Sequence, residues 1–213
     1  MNRSRVFADR AEAGRALATE LSTRDYADPA VLALPRGGVP VAAEIARALA
    51  APLDLVLVRK IGVPYQPELA LAAVVDGEHP EVIVNPDVWR TAGVSEAEFK
   101  RLEARAVAEI ERRRACYLQG RDRVAITGAT AIVVDDGIAT GATVRAALRA
   151  LRRARPARLI LAVPVAAGDT LRELATEVDE IVCLQTPSPF YAIGGFYRDF
   201  AQLSDEDVIE LLG

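Results

Sequence analysis

The chain has 213 residues, 51% hydrophobic and 26% charged, with a formal net charge of −4. That balance excludes collagen-like, disordered and disulfide-scaffold classes, and it supplies no global basic field that would favour nucleic acid or a membrane surface as partner. With only Cys116, Cys183 and His79 of their types, zinc sites, Cys-His pairs and histidine triads lack material, so chemistry falls to carboxylates, amides, Arg or Lys and a hard metal.

A helix is predicted over about 8–22, where Asp9, Arg10, Glu12 and Arg15 interrupt the apolar stretch a secretory leader needs. No apolar run approaches the ~18 residues of a membrane span, so the expectation is a cytoplasmic protein. Next come a strand at 31–34 (VLAL), a helix near 39–50 with Val41, Ala42, Ile45, Ala46 and Leu49 on one face, and a strand at 54–58 (DLVLV). An insert over about 70–128 breaks this rhythm: two extended stretches (ALAAVV and EVIV), then a long helix opened by Ser95 and Glu98, with Phe99, Leu102, Ala106, Ile110 and Tyr117 as its stripe. It could serve as a dimerisation arm or a lid; His79 and Trp89 within it read as structural. The rhythm then resumes with a strand at 131–135, a helix near 142–153, a strand at 158–163, a helix near 169–177, a strand at 180–184 and a last helix opened by Ser204 and Asp207.

Strands apolar on both faces and alternating with helices define an α/β fold, a parallel β-sheet flanked by helices. At roughly 150 residues per domain, residues 1–213 are expected to form one domain carrying the insert and a small C-terminal hood over about 186–213. Ligands of such sheets sit beyond the carboxyl ends of the strands.

The turn after the strand at 131–135 is the richest in signal: Val133-Val134-Asp135-Asp136-Gly137-Ile138-Ala139-Thr140-Gly141-Ala142-Thr143-Val144. Helix-initial amides are unpaired donors, and the small residues Ala139, Gly141 and Ala142 let a phosphate approach them, with the Thr140 and Thr143 hydroxyls as further donors. Asp135 and Asp136 repel phosphate but accept well from sugar hydroxyls. No lysine follows in a G-x-x-x-x-G-K arrangement, so a Walker A loop is excluded. Pro35-Arg36-Gly37-Gly38 makes a second donor-rich turn, with a guanidinium suited to pyrophosphate. Arg59 and Lys60 precede a Gly/Pro-rich stretch that reads as mobile, with Glu68 in it, and Lys60 is one of two lysines in the chain. Five of the eleven aromatics (five Phe, five Tyr, one Trp) fall within 190–200.

The string from Val133 to Val144 resembles the phosphoribosyl pyrophosphate (PRPP) signature of the type I phosphoribosyltransferases, in its adenine-type version. The resemblance implies that family's fold and a cytoplasmic enzyme of nucleotide salvage, transferring the 5-phosphoribosyl group from PRPP to a nitrogenous base with release of pyrophosphate. It implies Mg²⁺ as cofactor, held by ligand oxygens and water, with Asp135 and Asp136 acting only through water or ribose. It sets Arg36, Gly37 and Gly38 against pyrophosphate and makes the stretch after Arg59 and Lys60 similar to the family's closing loop, with Lys60, Glu68 and Asp136 as catalytic candidates. The segment PFYAIGGFYRDF looks like the hood of hypoxanthine-guanine-type members, which places Phe190 over the base. Two departures stand out: Ala139 occupies the place of an acid, and Val163 to Ala167 offer no lysine, so the groups that read oxopurines are missing. A non-catalytic PRPP-binding regulator and a hydrolase of a phosphoribosyl compound are the alternatives.

Overall fold

The computed structural model describes residues 5–77 and 80–213, so His79 lies outside the described residues. The chain runs through α1 (Arg10–Leu21), β1 (Pro29–Ala33), α2 (Gly38–Leu49), β2 (Leu53–Leu55), β3 (Val58–Val63), β4 (Gln66–Val75) and β5 (Glu81–Val84). It continues with α3 (Pro86–Ala92), α4 (Glu96–Leu118), β6 (Thr130–Val134), α5 (Ala142–Arg153), β7 (Arg158–Val165), α6 (Gly168–Leu174), β8 (Glu180–Gln185), a 3₁₀ turn (Ile193–Phe196) and α7 (Asp205–Leu212). Five strands form a parallel sheet in the order β2-β1-β6-β7-β8, and β3-β4-β5 form a separate antiparallel sheet.

Alternation along the buried strands supplies both faces of the parallel sheet. In β6, Ile132 and Val134 pack with Leu17 of α1 and Ile45 of α2, while Ala131 and Val133 pack with Val144 and Leu148 of α5. Caps mark the predicted starts: Asp9 accepts from the Glu12 amide, Ser95 from the Glu98 amide, and Ser204 with Asp207 forms a full capping box. Among the described residues no helix is long and apolar enough to cross a membrane.

Two expectations are corrected. The run predicted as a single strand at 54–58 is split: β2 ends at Leu55, and the chain turns into β3 at Val58, so the departure from the parallel sheet starts well before residue 70. The stretch expected to be a mobile loop is a hairpin, with β3 and β4 paired from Val58↔Val75 to Val63↔Gln66 around Pro64 and Tyr65. Gly62 marks a register shift, and a Cβ there would lie 2.3 Å from the Pro67 carbonyl oxygen, so this glycine serves a close backbone approach rather than looseness. Ile61, Val63, Leu71 and Val74 pack under Phe99, Ala106 and Ile110 of α4, and Ala73 and Val75 join the cluster on the α5 side. Beyond β4, the buried Asp76 pairs with Arg114 (3.3 Å) and Arg123, tying the hairpin to α4 and to the chain leading into β6.

Candidate active site

The turns after β1 and β6 leave neighbouring parallel strands in register, Ala33 beside Val134, so they emerge side by side at the carboxyl edge. Their approach is too close for side chains. A Cβ on Gly37 would lie 2.1 Å from Asp136 Oδ2, and one on Gly38 would lie 2.5 Å from the Val134 carbonyl oxygen. Two glycines thus set the Pro35-to-Gly38 turn directly on the acid pair. The Gly38 and Val39 amides are consumed within that turn, donating to the carbonyls of Leu34 (3.0 Å) and Arg36 (3.1 Å).

The β6-to-α5 turn is held from below. The Ile138 amide donates to the Val165 carbonyl (3.0 Å), the Ala167 amide donates to the Ile138 carbonyl (3.0 Å), and the Thr170 hydroxyl donates to the Ala139 carbonyl (2.6 Å). Gly141 adopts φ +70°, and a Cβ there would lie 2.6 Å from the Thr170 methyl, a position open only to glycine without strain. No side chain caps α5, and the first amide drawn into its ladder is that of Arg145, donating to the Gly141 carbonyl (2.8 Å). The Thr140 and Ala142 side chains are exposed and Thr143 is half-buried, so the uncapped end opens to solvent at the positive pole of the helix.

Asp136 is 8% exposed and Asp135 half-buried. Burial pushes the carboxyl of Asp135 well above the usual carboxylate range, and the charge of Asp136 beside it adds to this. Burial also raises Asp136, against the pull of Arg10, whose Nε donates to Asp136 Oδ2 at 2.8 Å. The Arg10 guanidinium lies 3.9 Å from the centroid of the Phe200 ring, and the Tyr197 hydroxyl donates to the Asp136 carbonyl at 2.6 Å. Burial pushes the Tyr197 phenol strongly up.

Other residues singled out from the sequence lie around this centre. Arg36 donates to the Leu203 carbonyl and pairs with Asp205 (3.4 Å), which also accepts from the Tyr117 hydroxyl (2.6 Å). Its guanidinium is therefore held toward the start of α7. Burial and this bond push the Tyr117 phenol up to about 12. Arg59 and Lys60 sit on β3, with Leu102 and Arg105 of α4, around a recess of about 200 Å³. Glu68 is exposed on β4. Phe190 stacks on Phe196, with centroids 5.7 Å apart, and Ile193 covers Gly137.

Sequence reasoning passed over Arg10, Tyr197, Tyr117 and Asp205. A signal existed for Arg10: it opens α1 directly after its cap, where the helix dipole disfavours a cation, so it needs a partner outside its own helix.

A model of the phosphoribosyl transferase domain family matches residues 7–201. The chain belongs to that family. Proteins from two strains of Mycobacterium tuberculosis, provisionally named phosphoribosyl transferases, are 45% identical over 208 residues; the match takes in 98% of this chain but 46% of their length, so the chain spans less than half of those relatives. The crystal structure of TT1426 from Thermus thermophilus is similar with a TM-score of 0.85 at 40% identity, covering 97% of each chain. The AQ2163 protein of Aquifex aeolicus, at 11% identity and a TM-score of 0.51 over 83% of this chain and 74% of its own, shares the fold. This phosphoribosyl transferase domain has a five-stranded parallel sheet, flanking helices and a small antiparallel insert.

Proposed function

We propose that the chain transfers the 5-phosphoribosyl group from PRPP to a nitrogenous base, releasing pyrophosphate. The observation that carries this reading is the direct seating of the Gly37-Gly38 turn on Asp135 and Asp136, beside the open amino end of α5. In this reading the α5 amides with the Thr140 and Thr143 hydroxyls hold a 5-phosphate, the Asp135 and Asp136 carboxylates hold ribose hydroxyls, and the Arg36 turn holds pyrophosphate once its guanidinium releases Leu203 and Asp205. In the reaction the bond from the anomeric carbon to pyrophosphate breaks, its electron pair leaving with pyrophosphate. The lone pair of the base nitrogen makes the new bond. The cationic character that develops on the sugar favours nearby carboxylate charge, the role assigned to Asp136.

Asp135 and Asp136, hard oxygen donors beside the open end of α5, fit a Mg²⁺ ion carried in largely by ligand oxygens and water, which they would reach through water or ribose. When bound, the ion would neutralise charge on the departing pyrophosphate.

Lys60, on β3, and Glu68, on β4, are proposed to act on the pyrophosphate and the base. Phe190, stacked in the hood, is proposed to line the base side. One observation favours a non-catalytic PRPP-binding role as second reading: Ala139 lies exposed where an acid could have served the base, and no titratable residue stands between Asp136 and Arg145. Pyrophosphate release from PRPP and Mg²⁺ across a panel of nitrogenous bases separates the two. Release with any base supports transfer, release without a base indicates hydrolysis, and PRPP binding with no release indicates the regulator.

A further inference from the structure

The most tightly engaged charged group at the site belongs to α1, far from every motif of the PRPP turn. Arg10 and Asp136 are separated by 126 residues, yet their side chains, each 11% exposed, meet at 2.8 Å. The guanidinium is fixed on three sides: Nε donates to Asp136 Oδ2, Nη1 donates to the Ala201 carbonyl (3.0 Å), and its plane lies over Phe200. Phe200 stacks in turn on Tyr197 (5.1 Å), whose hydroxyl holds the Asp136 carbonyl. Asp136 is thereby gripped at its carboxylate by Arg10 and at its backbone by Tyr197, both of which pack on the Phe200 ring. The grip uses only Oδ2. Oδ1 accepts no hydrogen bond among the described residues, and no polar side-chain atom among them is buried without a partner, so Oδ1 keeps access to solvent.

We propose that Arg10 is a positioning residue for the phosphoribosyl site, holding Oδ2 of Asp136 so that Oδ1 is presented to a ribose hydroxyl. The inference rests on the phosphoribosyl reading and assigns Arg10 no contact with the ligand. Burial and the neighbouring acid work against ionisation of Asp136, and Arg10 is the cation that opposes them. The charged or titratable groups facing Asp136 are Arg10 from α1, Asp135 from its own turn and the Tyr197 phenol from the C-terminal segment. The turn after β1 presents uncharged Gly37, Arg36 being held toward α7. A cation beside a carboxylate favours the charged form, so loss of Arg10 raises the pH at which Asp136 ionises.

The test compares wild type, Arg10→Gln, Arg10→Lys and Phe200→Leu. PRPP affinity in Mg²⁺ is measured by calorimetry from acid to neutral pH, and unfolding midpoints are measured in parallel. For Arg10→Gln the acid-side midpoint of binding is expected to move up by about one to three pH units. Each unit weakens PRPP about tenfold at a pH below both midpoints. Arg10→Lys keeps the charge and should restore most of the wild-type profile. Phe200→Leu loosens the platform and should shift the midpoint in the same direction by less, which keeps the inference testable should Arg10→Gln fail to fold. A folded Arg10→Gln with the wild-type profile, lowered unfolding midpoints with unmoved pH profiles throughout, or an unmoved profile in Phe200→Leu when Arg10→Gln does not fold, overturns the inference while wild-type PRPP binding leaves the phosphoribosyl reading standing. Absence of PRPP binding by the wild type overturns that reading itself, and the role of Arg10 with it.

Discussion

Gly37→Ala probes the seating of the two turns most directly. Gly37 has φ −59° and ψ −35°, ordinary right-handed geometry, so alanine brings no backbone strain and, if anything, a better helix former. The whole effect is steric. The new Cβ would lie 2.1 Å from Asp136 Oδ2 and 2.5 Å from its Cγ. The carboxylate cannot swing aside cheaply, because that same Oδ2 is held by Arg10 at 2.8 Å and the residue's carbonyl by Tyr197 at 2.6 Å. The Pro35-to-Gly38 turn must move instead, at the cost of about 1–3 kcal/mol usual for overpacking. If both turns hold one ligand, PRPP affinity should fall about tenfold or more, a loss of about 1.4 kcal/mol per factor of ten. Urea unfolding and calorimetry with PRPP and Mg²⁺ read the two effects separately. A cycle with Asp136→Ala, which removes the obstructing carboxylate, should reveal a relief of about 0.5–3 kcal/mol relative to the sum of the single changes. Wild-type stability and affinity in Gly37→Ala, or strict additivity in the cycle, would refute the reasoning.

Asp135→Asn tests the first acid of the pair: a carboxyl whose pKa is raised on folding contributes stability at low pH that is lost as pH rises through the folded value, so the variant should melt higher than wild type at pH 8, with the gain vanishing in acid, while PRPP binding weakens. A melting difference independent of pH would count against this. Gly141 is a poor probe of the phosphate cradle, because its φ of +70° and a Cβ 2.6 Å from the Thr170 methyl make any substitution strained in the fold itself. Thr140→Val and Thr143→Val are the sound probes; together they should weaken ribose 5-phosphate binding while changing stability by no more than about 0.5 kcal/mol each, and unchanged affinity would remove the hydroxyls from the site. Lys60→Ala should lower turnover more than PRPP affinity, as expected of a charge that counts most when pyrophosphate leaves, and equal turnover in the variant would leave Lys60 a strand residue of the hairpin alone.

Much of this protein was legible residue by residue. The parallel strands are β-branched or apolar runs, the helices carry one apolar face and recognisable caps, and the turn from Val133 to Val144 announces a strand ending in acids before a small-residue helix start. These are local signals, set by backbone preference and side-chain period over a few residues, and they suffice to place the α/β sheet and its strand-turn-helix units. The Gly62-to-Glu68 stretch was misleading because glycine and proline mark both loose loops and tight bulges, and only pairing with β4 distinguishes them. What no local pattern could settle is which separated groups meet: the glycine turn after β1 resting on Asp136, Ile193 over Gly137, and above all Arg10 reaching Asp136 across 126 residues. Those contacts follow from strand order and from the return of the C-terminal segment over α1, which depend on how all the faces are buried together; composition and spacing determined the parts of the site, and packing alone decided their assembly.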